Sequence, residues 1–402
     1  MNPVLALALV LIAGLAATRL PLPHLRRGLS LDLALAAGAP LLLAGVALGP
    51  GLGVLDHATL GALVPVTVLG IGWIGAAFGA RLEWRFLRRI PRRVWALAAL
   101  QAAAVLVVIA VAARLLTRAA PALAAVWRPT VPALLTLGAA AMVSGPGAVA
   151  LVARALRVPA ARARALDRAA LLDTGFGALV FAFALGLSQP HRSFAGVALG
   201  WIHWIAVAVA ASGGVGVLFL WFSRLWGDAD LDALDLDLLG VVLLGSGLGY
   251  ATDLSPFIVC ALATALIVNL SPLKRRVQTL LASWEPPVYA VFLVVVGALL
   301  DLPTLWLVPA ALLLGVARVA VRWAVVRDAQ GWRDPTTQPP HLGLATLAQG
   351  GVPLALALSF NLIYAGSGGS LLTTVFIAVV LAQAIAAPLL ALALRSAPPE
   401  VS

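Results

Sequence analysis

"VSGPGAV", Val143 to Val149, interrupts an apolar run with a proline between two glycines. Proline has no amide hydrogen for a helix interior, and glycine gains little from being held there, so one helix ends and another begins. A second interruption, "AQGGVPL" (Ala348 to Leu354), lies inside another apolar segment, with Gln349, Gly350 and Gly351 at its centre. Within a bilayer, irregular backbone is tolerated only where protein or a water-filled cavity covers it. Two such breaks in corresponding halves of a chain are the pattern of an inverted-repeat secondary transporter, whose site forms where the broken helices cross at the midplane.

The surroundings of the breaks repeat as well. "LGPGLG" (Leu48 to Gly53) and "NLSP" (Asn269 to Pro272) close one pair of apolar segments. "GARLE" (Gly79 to Glu83) and "GALLD" (Gly297 to Asp301) close the next pair, two segments before each break. The matching units lie seven helices apart. Because that offset is odd, they run in opposite directions.

Of the 402 residues, 62% are hydrophobic and 11% are charged, where a soluble domain averages about 25% charged. Windows of about 20 apolar residues mark thirteen membrane helices, near 3–18, 32–50, 60–80, 94–113, 131–153, 169–188, 194–222, 234–251, 254–270, 286–300, 303–326, 343–363 and 370–394. The first has no basic leader region and is kept as a helix rather than a signal peptide. The expected fold is an all-α polytopic membrane protein, one transmembrane domain with repeats over roughly 32–188 and 254–394 and no separate soluble domain.

The net charge of +11 comes from arginines in alternate connections. Arg19, Arg26 and Arg27 follow the first helix, Arg81 to Arg93 the third, Arg154 to Arg168 the fifth, and Lys274, Arg275 and Arg276 the ninth. The other connections carry only Arg114, Arg118, Arg128 and Arg192. The positive-inside rule then places the N-terminus outside and the C-terminus in the cytoplasm, in the cell (inner) membrane. These short loops hold no recognition module, so nucleic-acid binding is not expected. Five aspartates in "GDADLDALDLDLL" (Gly227 to Leu239) read as a solvated helix start, favourable to the helix dipole.

Several stretches resemble the monovalent cation/proton antiporters, the sodium/hydrogen exchanger superfamily. "LLAGVALGPGLG" (Leu42 to Gly53) is similar to that family's second helix, and "FGARLEWRFLRR" (Phe78 to Arg89) to its "GLEFDLRxLRR" segment. "DLSPFIVCALATALIVNLSP" (Asp253 to Pro272), "PPVYAVFLVVVGALLDL" (Pro286 to Leu302) and "GLATLAQGGVPLALAL" (Gly343 to Leu358) follow in the family's order. The resemblance implies alternating access, a homodimer, and protons and monovalent cations as the transported species.

The family's site chemistry sits on two stretches, and this chain departs from both. Where exchangers usually carry Thr-Asp-Pro, it has Ser144, Gly145 and Pro146. Where they carry Asn-Asp or Asp-Asp, it has Asp173 and Thr174, with the threonine at the ion-binding position. Arg318, in "GVARVAVRW", falls at the basic position of the eleventh helix and is the expected salt-bridge partner of Asp173. The remaining candidate cation ligands are Asp173, the Ser144 and Thr174 hydroxyls, and carbonyls freed at Gly145 and Gly147. Arginine keeps its charge, so of this pair only Asp173 could titrate.

Loss of both usual site acids leaves two alternatives open: a carrier of another small solute, an anion included, or a non-transporting membrane subunit or sensor with a soluble partner. No nucleotide-binding loop, Cys/His metal cluster, cofactor or enzyme signature is visible. Cys260 reads as a structural thiol, Gln101 as an interhelical hydrogen-bonding residue, and His203 as a packed helix histidine. Glu83 and Asp301 read as interfacial residues, and Asn269 as a polar group at a helix end.

Overall fold

The computed structural model describes residues 5–6, 8–12, 14, 38–189, 193–194, 197–225, 231–332, 342–364 and 368–395. Arg19, Arg26, Arg27, Arg192 and the start of the aspartate run lie outside them, as does much of the first expected helix. The described chain is helical apart from a two-stranded antiparallel hairpin, Ser193–Phe194 with Val197–Ala198. In order come α1 (Ala39–Val46, continued by a π turn to Gly51), α2 (Val64–Gly79) and α3 (Arg92–Ala119). The first break separates α4 (Val131–Met142) from α5 (Pro146–Ala155). Then follow α6 (Ala160–Ser188), α7 (Trp201–Leu225), α8 (Leu231–Ala251), α9 (Pro256–Leu270), α10 (Lys274–Ala298) and α11 (Leu307–Asp328). The second break separates α12 (Leu342–Ala345) from α13 (Val352–Ile363), and α14 (Gly368–Arg395) ends the described chain.

Seven of these segments are long and apolar enough to cross a membrane, and α1, α2, α9 and α13 are shorter apolar helices. Two expected boundaries are corrected. The arginines after the fifth segment are not a loop, because α6 begins at Ala160 and takes in Arg162, Arg164 and Arg168. Likewise Lys274, Arg275 and Arg276 open α10, which runs on through Pro286 and Pro287. Arginine is a good helix former, and hydropathy alone does not register a helix that continues beyond the hydrocarbon.

The helices form two groups. In one, α2 packs on α9, α1 on α10, and α7 and α8 on α9. In the other, α3, α4, α6, α11, α13 and α14 surround the breaks. Contacts recur with the seven-helix shift: α2 against α9 is matched by α1 against α10, α4 against α6 by α12 against α14, and α5 against α6 by α13 against α14. Glycine makes the first pair of contacts possible. A Cβ on Gly75 or Gly79 would lie 2.3 or 2.1 Å from the carbonyl oxygens of Phe257 and Ala261, and one on Gly45 would lie 2.1 Å from that of Val294. Backbone approach of this kind is how membrane helices gain packing where lipid offers no hydrophobic drive. Between the groups, α6, α7 and α9 leave an apolar cleft of about 360 Å³, lined in part by Phe78, Trp95, Phe176 and Trp204.

Candidate functional site

Each break is built by its own residues. Pro146 opens α5 and Pro353 lies in the first turn of α13, positions where a missing amide hydrogen goes unnoticed. Gly350 has φ +66°, the left-handed region glycine enters without strain. The two breaks touch: the Gly145 amide donates to the Ala348 carbonyl at 2.9 Å. A Cβ on Gly145 would lie 2.2 Å from the Gln349 carbonyl oxygen, so the aspartate that exchangers usually place here has no room in this arrangement. Gln349 reaches across to donate from Nε2 to the Ala140 carbonyl at 3.0 Å, while its Oε1 is buried without a partner.

Asp173 lies in the middle of α6, not near its end, because α6 starts thirteen residues earlier. Its carboxylate bonds Arg322, and both side chains are nearly excluded from solvent. This corrects the expected pairing with Arg318. Arg318 lies one helical turn before Arg322, and its guanidinium instead caps freed carbonyls: Nε to Ala141 at 2.7 Å, Nη2 to Val143 at 3.0 Å and Nη1 to Leu347 at 3.1 Å. Arg322 also donates to the Met142 carbonyl at 3.1 Å and to Thr346 Oγ1 at 2.8 Å. From α3 the Gln101 amide, oriented by its partners, places its oxygen 2.9 Å from Arg322 Nε and 2.7 Å from Nη2. Gln101 therefore does form an interhelical hydrogen bond.

The hydroxyls are spent in the same network. Ser144 Oγ lies 2.8 Å from Asp173 Oδ2 and 2.7 Å from the Thr346 carbonyl, and its single proton serves one of them at a time. Thr174 Oγ1 lies 2.7 Å from the Ser144 carbonyl and 2.8 Å from that of Ala170, again with one proton to give. Ser144, Thr174 and Asp173 thus share one hydrogen-bond network. Two permanent guanidinium charges fill the space among the breaks and take the carbonyl oxygens a small cation would need.

From the arginine-rich side a cavity of about 390 Å³ reaches the crossing. Gly145, Pro146 and Gly147 of the first break line it, as do Gln349, Gly350 and Gly351 of the second. Glu285 and Tyr289 of α10 form another wall, with Arg81 and Arg154 nearby. Sequence reasoning passed over both Arg322 and Glu285. Arg322 shares a helix face with Arg318, and the acid of "SWEPP" precedes what reads as a helix start. A carboxylate set beside two prolines in an apolar segment was the available signal for Glu285.

The remaining polar residues are structural. Asn269 accepts from the Trp84 amide at 2.6 Å and donates to the Leu82 carbonyl at 2.8 Å, while Glu83 pairs with Lys274. Asp235, in the aspartate run, pairs with Arg276 at 3.1 Å. His203 is exposed in the first turn of α7 rather than packed, since the tryptophans beside it in sequence do not share its helix face. Cys260 is buried and free.

No family model matches this sequence, and neither does any curated protein. Among solved structures, the fold is similar to that of the sodium proton antiporter MjNhaP1 from Methanocaldococcus jannaschii at pH 8, with a TM-score of 0.69 and 17% identity over 99% of each chain. At that identity the likeness is one of fold, and it runs from end to end: this multi-pass helical membrane protein shares the whole fold of a sodium/proton antiporter.

Proposed function

We propose that this chain is a secondary-active membrane transporter that exchanges protons for a monovalent cation by alternating access, without the usual ion-binding aspartate. The observation that carries this reading is the crossing of the two broken helices, joined between Gly145 and Ala348, with a cavity open to the crossing from one side. Irregular backbone at such a place is retained where a ligand path needs it. The two helix groups, each drawn from both repeats (roughly 32–188 and 254–394), are the units that move against one another, in a homodimer with its N-terminus outside and its C-terminus in the cytoplasm.

In this reading Asp173 and Arg322 hold the breaks together, and Arg318, Ser144 and Thr174 satisfy backbone that the breaks leave open. The test is flux in proteoliposomes under an imposed pH gradient, run in sodium, potassium, lithium and chloride media. Cation-dependent collapse of the gradient is expected, and no collapse in any medium defeats the reading.

One observation favours a second reading. Arg322 pairs with the Asp173 carboxylate while Arg318 binds carbonyls, which leaves one surplus positive charge, and the Ser144 and Thr174 hydroxyls are engaged. A carrier of another small solute, an anion included, or a non-transporting subunit with a soluble partner fits that balance. Chloride-dependent flux, or none, is its signature.

A further inference from the structure

If the Asp173 carboxylate is committed to Arg322, exchange needs another acid that the aqueous path can reach. Among the described residues, Glu285 is the carboxylate lining the cavity that leads to the crossing, and it forms no ion pair within 4 Å there. A Cβ placed on Gly147 would lie 3.9 Å from Glu285 Oε1, so the carboxylate stands over the N-terminus of α5 at the first break. Tyr289, one turn further along α10, covers the second break: a Cβ on Gly351 would lie 3.1 Å from its hydroxyl.

Residues lining the same cavity carry oxygen atoms that lack ordinary partners. Gln349 is 2% exposed, and its Oε1 has no hydrogen bond. Pro286 has no amide hydrogen for the carbonyl four residues before it, that of Ala282, and Ala282 lines the cavity. A buried acceptor left unsatisfied costs about 1–3 kcal/mol, so the Gln349 oxygen, on a side chain whose amide nitrogen donates to the Ala140 carbonyl, is an acceptor in want of a partner. All of these donors are oxygen, which suits a hard cation rather than a soft one. The charged groups facing Glu285 are Arg81, engaged by Asp167 at 3.5 Å, and Arg154, whose Nε donates to the Ala150 carbonyl at 3.3 Å.

We propose that this vestibule is the chain's binding site for a monovalent cation and for the proton it exchanges, with Glu285 as the titratable ligand and the Gln349 side-chain oxygen, the Ala282 carbonyl and the Tyr289 hydroxyl as neutral ligands. The proposal rests on the transporter reading above and relocates its chemistry. One carboxylate holds either a proton or a cation, so each cation bound releases one proton. Carrying either one leaves the site with the same charge, and the exchange is electroneutral. Arg81 and Arg154 compete with the cation and keep its hold loose enough for release.

The test is proton release from the full-length protein in detergent, read with a pH indicator on addition of sodium, lithium or potassium chloride, with choline chloride as the control. Wild type should release protons with at least one of the three cations. Glu285→Gln should lose the release, Glu285→Asp should retain it at shifted affinity, and Gln349→Leu should weaken it. No release from wild type, or undiminished release from folded Glu285→Gln, overturns the site. Should Glu285→Gln fail to fold, unchanged affinity in Gln349→Leu overturns it instead. Because this readout needs no transport, it separates the two ideas. Flux that survives in Glu285→Gln keeps the transporter and removes this site, while binding without flux keeps the site and removes the transporter.

Discussion

Arg322 bonds Asp173 across 149 positions of sequence, joining α11 to α6 where the broken helices cross, with side chains only 1% and 5% exposed. A lone buried charge costs several kcal/mol, and here each charge is met by the other and by surrounding hydrogen bonds. The pair also fastens the first break to the second, because Arg322 reaches Met142 on one side and Thr346 on the other.

Breaking such a pair from one side typically costs about 3–5 kcal/mol, whereas replacing both partners with apolar residues can be nearly neutral. Asp173→Asn and Arg322→Met should each lower the melting temperature in detergent, and the double variant should recover much of the loss. Arg318→Met should also destabilise, by stripping donors from three carbonyls, but without that recovery when combined with Asp173→Asn. Additive losses for Asp173 and Arg322 would contradict the pairing.

Gly145 is held to glycine by the neighbouring break. Gly145→Ala sets a methyl group 2.2 Å from the Gln349 carbonyl oxygen, a contact that only backbone movement can relieve. Overpacking of this kind costs about 1–3 kcal/mol. The variant should melt lower than wild type, and a matching change at Gly175, which has nothing within 4 Å, should not. Equal melting of the two variants would show that the breaks do not press on each other.

Much of this arrangement was legible in the chain because it is written locally. Proline and glycine announce both breaks, apolar length announces the spans, and paired turn signals announce the repeat. Asp173, Ser144 and Thr174 were placed together because they sit on adjacent segments at fixed offsets from a break. The partner of Asp173 was not legible in the same way. Arg318 and Arg322 lie four residues apart on one face of α11, and only the depth at which that helix docks decides which turn meets the carboxylate. Glu285 escaped notice for a related reason: Pro286 and Pro287 mimic a helix start, although α10 is already three turns long when it reaches them.

Topology carries its own expectation. Asp56 caps the helix His57–Ala62 by accepting from the Thr59 amide at 2.8 Å, and Lys274 pairs with Glu83 at the arginine-rich end. The loop charges predict that these positions lie on opposite sides of the membrane. In a background without Cys260, cysteines at 56 and 274 should each react with an impermeant maleimide from one side only, outside for 56 and cytoplasmic for 274. Labelling of both from the same side would refute the orientation.

Thr174→Asp places an acid at the position that the sequence resemblance aligns with the exchangers' ion-binding aspartate. In this chain the Thr174 hydroxyl is fully buried, with its oxygen 2.7 Å from the Ser144 carbonyl and 2.8 Å from that of Ala170. A carboxylate oxygen there faces two acceptors and has no donor of its own unless it carries a proton or a cation. Burial beside those carbonyls favours the protonated, neutral side chain over a bare carboxylate. An acid that the fold holds protonated contributes its stability only in that form, so the variant should lose stability relative to wild type as pH rises. Sodium should restore part of the loss at neutral pH, since a cation bridging the carboxylate and the Ser144 carbonyl replaces the missing proton, and choline should not. Melting curves over a pH series, with and without sodium, decide it. A melting temperature unaffected by pH and by sodium would mean that the new side chain has turned away from Ser144, and that position 174 cannot be returned to ion binding in this network.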